Sequence, residues 1–267
     1  MSERLAVRKT YKLWIGGAFV RSESGRYDRA EDFNIPRASR KDVRDAVAAA
    51  RKAFGPWSAR TAYNRGQILY RAAEALESRA TDLGERSEVE QAIDVLLHYA
   101  GWTDKIAPVL GGVNPVAAPF LSFSLPEPTG VVAVIAPQAS SLLGFVSVVA
   151  PAVVSGNTVV AVASERFPLP AVSLSEVLAT SDVPGGVINV LTGRTAEIAP
   201  WLASHMDVNA IDLSGATGPL ADDLAVAAAE NLKRVVKPGD EDWTLAPGLD
   251  RMLTYLETKT VWHPASN

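Results

Sequence analysis

The chain contains no cysteine among its 267 residues. Disulfides, thiolate metal sites and thiol redox switching are excluded with it. So is any thiolate nucleophile supplied by this chain. Histidine is scarce, at positions 98, 205 and 263 only, with no spacing that would gather the three on one metal. There is no basic excess: 26 Lys and Arg face 30 Asp and Glu, for a formal net charge of −4. A nucleic-acid binder needs a basic face to neutralise phosphates, so that class is disfavoured. Long apolar runs are missing too. The longest, around Leu142 to Val154, is broken by Gly144, Ser147 and Pro151, too short and interrupted for a bilayer span. Met1 to Trp14 is polar and mixed in charge, without the apolar stretch of a signal peptide. The expectation is a soluble, cytoplasmic protein.

What is present is ordinary globular material: 48% hydrophobic and 21% charged residues, well away from disorder. The length suits one large domain, or one domain with a small appendage. Ser39 followed by Asp42 reads as a helix start, with Val43, Val47 and Ala50 at helical spacing. Further helices are expected over 61–83, with a stripe of Ile68, Leu69, Ala72 and Leu76, and over 85–105, with Val89, Ile93, Leu96 and Leu97. From Gly111 to Pro128, apolar residues among prolines and glycines suggest an extended hairpin, with the prolines at edge positions.

The centre alternates regularly. Strands are expected at Val131–Ile135, Thr158–Val162, Val187–Leu191, Val208–Leu213 and Leu232–Val236, with helices at Leu142–Val154, Pro170–Ala179, Thr195–His205 and Thr217–Glu230. Short β-rich runs separated by helices indicate right-handed βαβ crossovers. The fold class is therefore α/β: a Rossmann-like doubly wound parallel sheet with helices on both faces. After a brief helix near Leu249–Leu253, a final strand through Leu256, Thr258, Thr260 and Trp262 would be an exposed edge alone. It is expected to pair with the 111–128 hairpin or with another chain.

Several segments resemble the aldehyde dehydrogenase superfamily: Pro128-Thr129-Gly130-Val131-Val132, Gly156-Asn157-Thr158, Val183-Pro184-Gly185-Gly186-Val187-Ile188-Asn189, Asn231-Leu232-Lys233-Arg234 and Tyr255-Leu256-Glu257-Thr258-Lys259-Thr260-Val261. Each is short; their order and spacing together are specific. In that family a catalytic domain lies between the last two segments, whereas here the acidic stretch Pro238-Gly239-Asp240-Glu241-Asp242 fills the gap. The resemblance implies a truncated member. Residues 1–110 and 129–237 form a nucleotide-binding domain, 111–128 and 249–264 form oligomerisation strands, and 238–248 form a linker in place of the catalytic domain.

The resemblance also sets expectations for chemistry. The family's asparagine oxyanion donor falls at Ala139, within Pro137-Gln138-Ala139-Ser140-Ser141, and its general-base glutamate falls at Pro238. With nucleophile, oxyanion amide and base all missing, the chain is expected not to be an enzyme on its own. The family's ribose-binding turn reads Val162-Ala163-Ser164-Glu165, keeping the glutamate without the lysine, and its pyrophosphate turn reads Leu213-Ser214-Gly215-Ala216. Ser164, Glu165, Gly193, Ser214 and Gly215 are thus the vestigial cofactor set: no cofactor is required, and weak NAD binding is possible. Val116, Phe120, Phe123, Leu256, Thr258, Thr260 and Trp262 are the expected interface. The partner is a full-length aldehyde dehydrogenase subunit, stabilised or regulated through strand addition; the alternatives are an NAD-binding module and a self-associating homo-oligomer. Ser204, His205 and Asp207 do not read as a hydrolase triad, because adjacent residues rarely face one another and no nucleophile elbow is present.

Overall fold

The computed structural model describes residues 7–30, 32–117 and 119–265. The chain opens with a hairpin, β1 (Leu13–Ile15) and β2 (Ala18–Val20), turned by Gly16 and Gly17 at φ of 63° and 85°, left-handed values that favour glycine. A Cβ on Gly17 would lie 2.7 Å from the Gly185 Cα. A second ribbon follows, β3 (Tyr27–Ala30) against β4 (Phe33–Pro36). Helix α1 (Arg40–Ser58) starts at the expected cap. Ser39 Oγ accepts from the Asp42 amide, and Asp42 Oδ2 accepts from the Ser39 amide at 2.7 Å, a reciprocal capping box.

Helix α2 (Ala62–Ser78) contains the whole apolar stripe but ends short of the expected range of 61–83. The helix expected over 85–105 ends at Ala100 as α3 (Arg86–Ala100), and a turn from Gly101 leads to a separate short helix beyond it, α4 (Ile106–Leu110). Next come β5 (Gly112–Asn114) and β6 (Phe120–Pro128). The alternating core is β7 (Val131–Ile135), α5 (Leu142–Val154), β8 (Thr158–Val162), α6 (Pro168–Thr180), β9 (Ile188–Leu191), α7 (Thr195–Ala203), β10 (Ala210–Asp212), α8 (Pro219–Ala229) and β11 (Arg234–Val236). Helix α9 (Asp250–Thr254) and strand β12 (Leu256–Pro264) follow.

Among the described residues, seven strands form the main sheet in the order β11-β10-β7-β8-β9-β1-β2. The first five run parallel; β1 joins β9 antiparallel, and β2 continues as the edge. Strands β7 and β8 are buried at every position, which explains their near-continuous valine and alanine: a parallel sheet covered on both faces has no polar side. One face packs against α2, α3, α5 and α6 through Leu69, Leu76, Val89, Phe145 and Leu174, the other against α1, α7 and α8 through Val43, Val47, Ile198, Leu202 and Leu224. The fold is a doubly wound α/β fold. Helix α5 is buried throughout, so truncating Phe145 to Ala would cost about 3–5 kcal/mol.

A separate antiparallel sheet has the order β12-β6-β5. Strand β12 pairs with β6 along its whole length, from Leu256 opposite Pro128 to Pro264 opposite Phe120. Its root is bracketed by Asn157. The Asn157 Nδ2 donates to the Tyr255 carbonyl at 2.9 Å and its Oδ1 accepts from the Gly130 amide at 2.7 Å and the Thr129 hydroxyl at 3.0 Å. No helix among the described residues is long and apolar enough to cross a membrane.

Candidate functional site

In the main sheet the chain leaves β7 for β8 and β9 on one side, then returns to β10 and β11 on the other. The order reverses between β7 and β10, and open α/β sheets bind ligands beyond the carboxyl ends of the strands at such a point. Loops 136–141 and 213–218 meet there. The Gly215 amide donates to the Ile135 carbonyl at 2.8 Å, and a Cβ on Gly215 would lie 1.9 Å from the Ala136 carbonyl oxygen. Only glycine permits that approach.

Asp212, at the end of β10, is fully buried. Its Oδ1 accepts from the Ser214 amide at 2.9 Å and the Ser214 hydroxyl at 2.6 Å. Its Oδ2 accepts from the Tyr255 phenol at 2.7 Å and from the Arg251 guanidinium. Arg251 also donates to Ser214 Oγ at 3.0 Å and to both oxygens of Glu241, at 2.6 and 2.5 Å, and lies 5.3 Å from the Trp243 ring centroid. Burial would lower the Arg251 pKa, but the charges of Asp212, Tyr255 and Glu241 more than offset it and raise it. Burial, with the charge of Asp212 acting in the same direction, holds the Tyr255 phenol well above its ordinary 10.0. The Tyr99 phenol is pushed up to about 12, chiefly by burial, and donates to the Gly248 carbonyl at 2.8 Å. These bonds fold residues 241–251 against the sheet. A cavity of about 510 Å³ opens beside them, lined by Tyr99, Ser147, Glu241, Trp243 and Arg251 among others.

The starts of α5 and α7 are also occupied from within the chain. Glu165 Oε1 accepts from the Thr195 amide at 2.6 Å, placing a carboxylate at the positive end of α7. The Thr195 hydroxyl is buried without a partner. Ser164 Oγ accepts from the Phe167 amide at 3.1 Å and donates to the Gln138 carbonyl at 3.3 Å, while Gln138 Oε1 accepts from the Glu165 amide at 2.8 Å. Gly193 has φ of 132°, and a Cβ there would sit 3.0 Å from the Ala38 amide nitrogen. At α5, Glu88 on α3 accepts from the Ser141 and Leu143 amides at 3.1 and 3.2 Å and from the Ser140 and Ser141 hydroxyls at 3.3 and 2.7 Å.

The expected cofactor residues therefore fall into two groups. Ser164, Glu165 and Gly193 lie at the start of α7, Ser214 and Gly215 at the switch point, and loop 136–141 touches both through Gln138 and Ala136. Sequence reasoning missed Glu88, Asp212, Arg251 and Tyr255, which hold these loops. Tyr255 carried a signal as the head of the Tyr255-Leu256-Glu257 segment, as did Asn157 in the Gly156-Asn157-Thr158 motif, whose side chain serves the architecture. Among the described residues, no group of three or more His, Cys, Asp or Glu is arranged to hold a metal.

The expected interface residues also divide. Phe120, Thr258, Thr260 and Trp262 are exposed on β6 and β12, and Phe123 is half-buried on β6. Phe120 and Trp262 form an edge-to-face pair with centroids 6.0 Å apart. Two expectations are corrected. Val116 lies in the loop between β5 and β6 rather than in a strand. Leu256, only 8% exposed, packs into the core with Met252 and Tyr255, because the first residue of β12 still lies over the main body.

A doubly wound sheet with its loops gathered at the switch point defines this as a protein of the doubly wound α/β class. The chain belongs to the aldehyde dehydrogenase family, whose model matches residues 25–237. An aldehyde dehydrogenase of Emericella nidulans is 36% identical over 246 residues, covering 84% of this chain and 48% of the relative. The mitochondrial aldehyde dehydrogenase family 2 member B4 of Arabidopsis thaliana is 33% identical, covering 84% and 45%. Among solved structures, HpcC from Thermus thermophilus superposes with a TM-score of 0.80 at 30% identity, covering 85% of this chain and 47% of that one. PnpE, solved in complex with nicotinamide adenine dinucleotide, has a TM-score of 0.79 at 32% identity, covering 84% and 50%. The chain spans about half the length of the curated relatives it matches.

These relatives correct the expectation that the chain is not an enzyme on its own. They are named as aldehyde dehydrogenases, and the fold matches that of the enzymes. That expectation rested on the absence of cysteine and on counting along motifs to Ala139 and Pro238, and a count along one chain does not locate a reacting atom.

Proposed function

We propose that this chain works within an NAD-dependent, aldehyde-oxidising assembly, associating through β5, β6 and β12 with a full-length aldehyde dehydrogenase subunit that it stabilises or regulates. In this reading residues 1–110 and 129–237 are the nucleotide-binding part, 111–128 and 249–264 the associating strands, and 238–248 the linker. The observation that carries it is the outer edge of β12. Nine residues long, it has no strand beyond it among the described residues, and Thr258, Thr260 and Trp262 are exposed along it. Free backbone donors and acceptors in a regular row are the template that strand addition needs. NAD is the assembly's cofactor. This chain's own hold on it is weak, since Glu165 and Ser214 are already engaged by Thr195, Asp212 and Arg251.

The test is capture of the tagged chain from its native lysate, followed by native mass of what co-elutes. A full-length aldehyde dehydrogenase at fixed stoichiometry, lost when Trp262 is changed to Lys, supports the reading. A homo-oligomer with no dehydrogenase would overturn it in favour of self-association.

A further inference from the structure

Away from the loop ends of the sheet, α1 and α7 border a surface groove of about 560 Å³. Arg40, Lys41, Val43 and Arg44 line one wall, and Trp201, Ser204, His205 and Met206 the other. None of these eight residues is acidic, in a chain whose formal net charge is −4.

The lining cations are not equivalent. Lys41 pairs with Glu23, and Arg44 donates to Asp45 at 3.0 and 2.8 Å. Arg40 makes no ion pair or side-chain hydrogen bond with any described residue; its guanidinium lies over the Trp201 ring, 4.2 Å from the centroid. Stacking fixes the plane of a guanidinium and leaves its edge N–H groups available for a forked pair with a planar anion. Much of the ordering cost of such a contact is already met.

The groove also offers apolar surface to a ligand. Trp201 is 40% exposed and Met206 74%, while Val43 between them is buried against the sheet. The His205 Nδ1 accepts from the Asp207 amide at 3.2 Å, so the ring proton sits on Nε2 and adds a neutral donor. Ser204 donates its hydroxyl to the Pro200 carbonyl at 2.8 Å and has no proton left for an anion.

We propose that this groove binds a planar organic carboxylate with an apolar body, the carboxylate forked on Arg40 and the body against Trp201 and Met206. The site is independent of the associating strands and of the loops at the switch point, so it stands or falls apart from the aldehyde-oxidising assembly.

The test is calorimetric titration of the full chain with benzoate, against benzamide as the neutral analogue and inorganic phosphate as an anion without a body. Saturable benzoate binding is expected with a Kd on the order of 1 mM. It should be at least tenfold weaker in Arg40→Gln, with benzamide and phosphate weaker than benzoate by a similar factor. Arg40 and Trp201 are surface residues, so both variants should keep the melting temperature. Should Arg40→Gln fail to fold, Trp201→Phe provides the second reading, because the benzoate-induced change in tryptophan emission must then disappear. Equal binding of benzamide, unchanged benzoate affinity in Arg40→Gln, or binding of an acidic peptide where benzoate shows none would each overturn the proposal.

Discussion

The two sheets of this molecule differ in what they leave open. At the carboxyl ends of the main sheet, donors are met from inside the chain: Glu88 at α5, Glu165 at α7, and Asp212 at the Ser214 turn. The small sheet is the reverse, since β12 satisfies β6 on one side and, among the described residues, has no strand on the other. Helix starts and turns are anion sites while their amides are free; once a carboxylate of the same chain caps them, they become architecture. The part of the molecule that looks like a ligand site is bonded internally at α5, α7 and the Ser214 turn, and the small sheet keeps a free edge among the described residues.

That contrast can be broken most severely at Asp212. Asp212→Ala leaves Arg251 and Tyr255 buried without their shared acceptor and should cost about 3–5 kcal/mol in chemical denaturation. An unchanged midpoint would show that the network does not hold residues 241–255. Tyr255→Phe keeps the ion pair and removes one bond to a charged acceptor, an expected loss of about 1.5–3 kcal/mol at neutral pH.

The same variant has a pH signature. The folded-state pKa of Tyr255 is raised, so its contribution is fully present below the ordinary 10.0 and is lost as pH rises above it. The wild-type chain should therefore lose stability on the alkaline side more steeply than Tyr255→Phe. Parallel slopes would refute the buried phenol. Asn157→Ala, which frees the root of β12 from Thr129 and Gly130, should cost about 1–3 kcal/mol, seen as earlier hydrogen exchange along β6 and β12 than in the main sheet.

The effects then shrink. Glu165→Ala removes the carboxylate at the start of α7, a loss of about 1 kcal/mol by analogy with other helix caps. A loss several times larger would mean that Glu165 organises more than that helix. Trp262→Ala, at an exposed position, should change stability by less than about 0.5 kcal/mol while weakening co-elution with the partner. Unfolding caused by this substitution would show that the edge belongs to the core.

The sequence made the interior of the fold legible and much of its detail not. Strands β7 and β8 lie at the expected boundaries because short apolar runs beside Gly130 and Gly156 admit few other readings, and helix α5 does so although Gly144, Ser147 and Pro151 interrupt its run. Strands β10 and β11 are shorter than expected, since Val208 and Leu232 belong to the turns that lead into them; Leu232 has φ of 57° and is 90% exposed. The β3–β4 ribbon went unread because Tyr27-Asp28-Arg29-Ala30 shows no apolar alternation. At the candidate site, Ser164, Glu165, Ser214 and Gly215 could be marked by resemblance. Their bonds could not, because Glu88, Arg251 and Tyr255 come from distant segments and no local pattern announces which carboxylate will meet which helix.

The placement of β1 has a consequence for how the chain is made. The Gly16 amide donates to Asn189 Oδ1, 173 residues later, and Trp14 pairs with Val190 on β9. During synthesis the first hairpin leaves the ribosome long before the strand that receives it. The central βαβ units can collapse as they emerge, but the rim of the sheet must wait, exposed, for β9 to arrive. Non-local pairing of this kind slows folding and lengthens exposure to aggregation, so a hairpin made well before β9 is among the last elements to find its place.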